Sequence, residues 1–195
     1  MTRSTTRWAV VVSEVLAPWV LAAVMPVLIA AATTTPLWRG VLTGLLVTLV
    51  CAVVPYTVVA IGVRRGRYED HHVRNREDRP KLMAMVAGLT VLTAGLLVLV
   101  DASPASLVLL GLMTSCALVG FAVSRFWKIS LHAMVVTASA VVVVGFFPAW
   151  FPVLLAVPLV ALARVRVRAH SPAQVVAGTG VGAVLAAVAV VLATS

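Results

Sequence analysis

Charge is what this chain has least of. Only 11% of its 195 residues are Asp, Glu, Lys or Arg, and just six of these are acidic. A soluble domain has about a quarter of its residues charged. Here 62% of the residues are hydrophobic and the mean hydropathy is +1.11, which is more apolar surface than a soluble domain of this length can bury. That excludes a soluble enzyme and marks an integral membrane protein. Cysteine is nearly missing too. Cys51 and Cys116 both fall inside apolar runs, which argues against a disulfide framework and a cysteine-based metal site. No long polar region is present to form a separate soluble domain.

The charge that is present lies in short islands between apolar runs. A net charge of +9 raises the question of nucleic acid, but cations confined to short loops are better explained by membrane topology and anionic lipid, so the expected partner is the bilayer and no nucleic acid. The first run, from about Val10 to Ala32, is interrupted only by Glu14 and two prolines. It exceeds the apolar region of a signal peptide and reads as a retained span, with Glu14 reaching back to the headgroups. Leu37 to Val63 is the second span. Two more, about Leu82 to Val100 and Pro104 to Val123, are joined by Asp101-Ala-Ser-Pro, a turn or cap sequence short enough to force an antiparallel hairpin.

His132 to Ala163 is too long for one span of ~20 residues and short for two. Its middle, Phe146-Phe-Pro-Ala-Trp-Phe-Pro152, has the aromatic and proline character of an interfacial turn, so two short spans are expected. Pro172 to about Leu192 is the last span, ~31 Å long as a helix. The expected fold is an all-α polytopic membrane helix bundle of six to seven transmembrane helices, a single integral membrane domain over residues 1–195. With seven spans, the N-terminus and the loops after the second, fourth and sixth share a face. That face holds His71, His72, His132, His170 and every Lys and Arg except Arg39, and the positive-inside rule makes it the cytoplasmic face of a cell membrane.

Three islands on that face hold the reactive side chains. The longest runs from Arg64 to Lys81. Between Tyr68 and Asp78 it reads as a helix with an Asp70/Arg74 pair, and His72 and Arg79, seven apart, share one helical face. As a solvated linker it would account for its arginines but not for its histidines. The second island places Ser130 two residues before His132. The third, Arg164-Val-Arg-Val-Arg-Ala-His170-Ser-Pro-Ala-Gln174, brings cations and a histidine to the Ser171-Pro172 start of a helix. A serine N-cap, free N–H groups and the positive end of the helix dipole make an anion site there. The competing reading is that the arginines end a membrane helix on its cytoplasmic side and the histidine is incidental.

Taken in order, the islands resemble the three signature motifs of the phosphatidic acid phosphatase type 2 superfamily, K-x6-R-P, P-S-G-H and S-R-x5-H-x3-D. His72, six residues and Arg79-Pro80 stand for the first, with histidine in place of lysine. Ser130 and His132 stand for the second, with Ile129 and Leu131 replacing proline and glycine. Arg164, five residues and His170 stand for the third, with Ala163 for its serine and Gln174 for its aspartate. The His-x3-Gln-Val form is similar to that of dolichyl-diphosphate phosphatases. Gly178 and Gly182 fit the small-residue spacing that permits close helix approach.

The resemblance implies a membrane lipid phosphatase acting on a lipid mono- or diphosphate, either a polyprenyl diphosphate or a phosphatidate-like lipid. It implies His170 as the nucleophile, His132 as general acid and base, and Gln174 as the orienting partner of His170. Arg79, Arg164 and Ser130 would hold the phosphate oxygens, with a protonated His72 standing in for the lysine. Arg166 and Arg168 would face headgroups, His71 would be a bystander, and no metal or other cofactor would be needed. Two other readings stay open. One is a metal-dependent prenyl or alcohol phosphotransferase that holds Mg²⁺ through Glu69-Asp70 and Glu77-Asp78. The other is a non-catalytic protein that binds or translocates a lipid headgroup through the same basic pocket.

Overall fold

A chain inside a bilayer has no water to satisfy its backbone N–H and C=O groups, so it must pair them within helices or around a closed barrel, and long unbroken apolar runs suit helices. The computed structural model, which describes residues 4–68 and 79–194, is helical throughout with no strand among those residues. Its helices are α1 (Ser4–Val15), α2 (Pro18–Thr33), α3 (Leu37–Thr48), α4 (Val54–Arg64), α5 (Arg79–Leu99), α6 (Pro104–Ser124), α7 (Leu131–Phe146), α8 (Ala156–Arg166) and α9 (Pro172–Thr194). Among the described residues, six helical stretches are long and apolar enough to cross a membrane, and Leu131–Phe146 is a shorter apolar helix. The protein is an all-α, multi-pass membrane helix bundle.

Prolines explain where single apolar runs divide. Pro18 lacks the N–H that would continue α1, so the first run breaks at Leu16–Ala17 and resumes as α2. Between α3 and α4, Leu49–Val53 forms a π-helical turn just before Pro55, with Val54 N–H reaching back to Leu49 O. The segment from His132 to Ala163 forms two helices, as its length and central aromatic turn led us to expect. After α7, a 3-10 helix (Pro148–Leu155) reverses the chain into α8. Trp150 and Phe151 on this turn are exposed.

The chain packs as two compact units, Met1–Leu21 with Lys128–Ser195, and Ala22–Trp127. In the second unit, α5 and α6 form the expected antiparallel hairpin. Asp101 adopts a left-handed conformation (φ 52°), and Ser103 caps α6 by accepting the Ser106 N–H at 3.3 Å. Val47, Cys51, Leu97 and Leu110 form this unit's core. Thr48 Oγ1 ties α3 to α2 by donating to Ala23 O at 2.6 Å. In the first unit, α1 packs on α8, and α7 packs on both α8 and α9. Ala9 and Ser13 of α1 and Ala17 just beyond it are buried, a four-residue spacing of small side chains that lets helices approach closely.

Candidate functional site

The second and third islands both belong to the first unit, and local capping sets the position of each. Ser130 is the N-cap of α7: its backbone is extended (φ −82°, ψ 100°) and its Oγ accepts the Ala133 N–H at 3.4 Å. His132 follows in the first turn. At the other border, α8 ends in a Schellman motif. Ala169 N–H donates to Arg164 O at 3.1 Å and Arg168 N–H to Val165 O at 3.0 Å. Arg168 occupies the left-handed position (φ 53°) where glycine is usual. This reversal leaves His170 next to the start of α9.

That start is a capping box. Ser171 Oγ accepts the Gln174 N–H at 3.3 Å, and Gln174 Oε1 accepts the Ser171 N–H at 3.1 Å. The same Oε1 lies 3.3 Å from His170 Nδ1. Gln174 therefore satisfies the helix end and holds the imidazole at once. The sequence reading gave it only the second task, although Ser-x-x-Gln ahead of an apolar run is itself a capping signature.

Backbone contacts join the islands. Ser130 N–H donates to Gln174 O at 3.1 Å. Further along, Gly178 faces the Ser130 carbonyl, Gly182 faces the Met134 backbone, and Gly145 of α7 receives the Val190 side chain of α9. The pairings rise together along both helices, so α7 and α9 run parallel and close, with α8 returning between them. Their two N-termini, the positive ends of their dipoles, thus lie at one end of the unit. The last turn of α8 brings Arg164 to the same end.

Among the described residues the other buried polar side chains are hydroxyls, whereas this end of the unit also encloses an arginine and two histidines. Ser130 is 0% exposed, Arg164 5%, His132 6% and His170 7%. Enclosing a guanidinium and two imidazoles is costly in an apolar bundle, which makes these residues the candidates for a site. Arg166 and Arg168 are exposed, as headgroup-facing residues would be.

The structure thus places five of the seven residues expected in the site at one end of the first unit: Ser130, His132, Arg164, His170 and Gln174. Arg79 opens α5 in the second unit, and His72 lies outside the described residues, as does His71. Glu69, Asp70, Glu77 and Asp78, the carboxylates of the metal-dependent reading, also lie outside them. Among the described residues, no group of three or more His, Cys, Asp or Glu side chains is placed to hold a metal ion. Compared with protein-family models, curated proteins and solved structures, the chain matches none.

Proposed function

We propose that this protein is a membrane lipid phosphatase that hydrolyses a lipid mono- or diphosphate through a phosphohistidine. The observation that carries the reading is the junction at Gln174. Its carbonyl is bonded to Ser130 at the head of α7 and its side chain to His170 at the head of α9. A buried arginine and two helix N-termini at one end of the unit favour an anion, and an imidazole beside an anion site is a nucleophile for phosphorus.

With Nδ1 turned to Gln174, His170 offers the lone pair of Nε2. Nε2 attacks phosphorus, the bond to the leaving oxygen breaks, and His132 gives that oxygen a proton. Water then attacks the phosphohistidine, the P–N bond breaks, and His132 recovers a proton from the water. Arg164 and the Ser130 hydroxyl oppose the charge on the nonbridging oxygens. A lipid substrate fits, because the site lies at the ends of membrane helices and its apolar tail can stay in the bilayer.

The test is release of inorganic phosphate from a panel of lipid phosphates by the purified protein in EDTA. We expect turnover that vanadate inhibits and that His170→Ala abolishes together with any acid-labile phosphoenzyme. Activity that needs Mg²⁺, or that survives His170→Ala, overturns the proposal. Lipid binding without turnover would replace it with a headgroup-binding protein.

A further inference from the structure

From the geometry at the start of α9 we infer that Ser171 is a positioning residue, whose capping box fixes His170 in the tautomer that carries its proton on Nδ1 and leaves Nε2 unprotonated. The inference deepens the phosphatase reading and rests on it only for the use made of Nε2. Which imidazole nitrogen is protonated, and which way an amide points, are both ambiguous when each group has only the other as partner. A third partner removes the ambiguity here. The Ser171 backbone N–H is a donor in every state, and it meets the Gln174 side chain at 3.1 Å. The Gln174 atom there must be the carbonyl oxygen, since the NH₂ group would set donor against donor. An amide oxygen only accepts, so the His170 nitrogen 3.3 Å away, Nδ1, must be the donor. The neutral ring then has its one acceptor at Nε2.

Ser171 contributes twice to this lock. Its N–H orients the amide, and its hydroxyl holds the Gln174 backbone in the helix by accepting the Gln174 N–H at 3.3 Å. The oxygen of Gln174 has two lone pairs, and these two donors use both of them. Ser171 is exposed and touches no reacting atom in this scheme, so its influence on chemistry passes through Gln174 and His170.

The experiment is ¹⁵N NMR of histidine-labelled protein in detergent, with the His170 signals assigned by their loss in His170→Ala. Above the imidazole titration, the wild type should show a protonated Nδ1 and an unprotonated Nε2 at His170. Ser171→Ala keeps the backbone N–H but loses the hydroxyl that seats Gln174, so the amide is held less firmly and His170 should shift toward a mixture of tautomers; Ser171→Thr, which keeps the capping hydroxyl, should restore the wild-type pattern. Turnover should follow, with kcat falling about fivefold in Ser171→Ala at unchanged KM and recovering in Ser171→Thr, on the scale of one neutral hydrogen bond. A protonated Nε2 in the wild type, or a tautomer unaffected by Ser171→Ala, overturns the inference. Because the NMR pattern is read without substrate, a phosphatase reading that fails would leave this result standing, and a failed lock would leave the assay of His170→Ala standing.

Discussion

Gly178→Ala puts the junction between α7 and α9 to its most direct test. A Cβ at residue 178 would collide with the Ser130 carbonyl oxygen, and it would lie 3.3 Å from the Ser130 carbonyl carbon and 3.4 Å from Ala133 Cβ. The obstacle is backbone, which has no rotamer through which to escape, so the helices must separate by roughly 1 Å to restore ordinary contact. Forcing a methyl into such a seam costs about 1–3 kcal/mol. The same displacement stretches the 3.1 Å bond from Ser130 N–H to Gln174 O beyond hydrogen-bonding range, which removes about 1 kcal/mol more. A misplacement of about 1 Å between Ser130 and His170 is also enough to reduce turnover about 100-fold.

Gly180 is the control. It lies on the same helix two residues away, and a Cβ there meets nothing within 4 Å. Gly180→Ala should be neutral or stabilise α9 by about 0.5–1 kcal/mol, because alanine has less backbone freedom to lose. Thermal unfolding in detergent reads the stability difference, and phosphate release reads the geometry. If Gly178→Ala unfolds and turns over like Gly180→Ala, the parallel packing of α7 on α9 is wrong, and with it the meeting of the two islands.

Four further outcomes follow from the same geometry. His132→Ala should slow hydrolysis of a lipid monophosphate more than that of a diphosphate, because a departing phosphate needs less protonation than an alkoxide; equal losses in kcat on both would remove His132 from the acid role. Arg164→Lys should not restore the wild type, since a buried guanidinium offers a planar fork that an ammonium cannot supply, and a kcat/KM within twofold of wild type would show that only charge matters there. Arg168→Gly should stabilise the protein by about 0.5–1 kcal/mol by relieving the left-handed residue in the Schellman motif, and a lower unfolding temperature would contradict that backbone conformation. Single cysteines at Lys128 and Arg168, in a chain lacking Cys51 and Cys116, should be labelled from one side of the membrane and a cysteine at Trp150 from the other, because α7 separates Ser130 from the 3-10 turn.

Much of this architecture follows from composition alone. Apolar runs this long and unbroken span a bilayer as helices, and the runs read from the sequence reappear as helices, including the division of residues 132–163 into two. The Asp101-Ala-Ser-Pro turn and the Ser171-Pro172 helix start were legible because caps are decided by neighbours in the chain. The capping box was equally local, and Ser171 with Gln174 at three-residue spacing was signal enough to find it. The breaks at Pro18 and before Pro55 are local in cause, but an apolar run hides them because hydropathy does not register a missing N–H.

Distance along the chain marks where the sequence stops deciding. Ser130 and Gln174 are separated by two helices and a 3-10 turn, and spacing shows only that their islands can share an end of the bundle. Whether they touch depends on how closely α7 and α9 approach, which the contacts of Gly178 and Gly182 with the α7 backbone set. The same holds for burial. Arg164, Arg166 and Arg168 look alike as letters two apart, yet Arg164 is enclosed and the other two are exposed. That difference arises because Arg164 lies in the last turn of α8, a helix packed against α1, α7 and α9, whereas the chain reverses just beyond Arg166. Residue types named the chemistry available to this protein, and tertiary packing decided which of those residues it gathers.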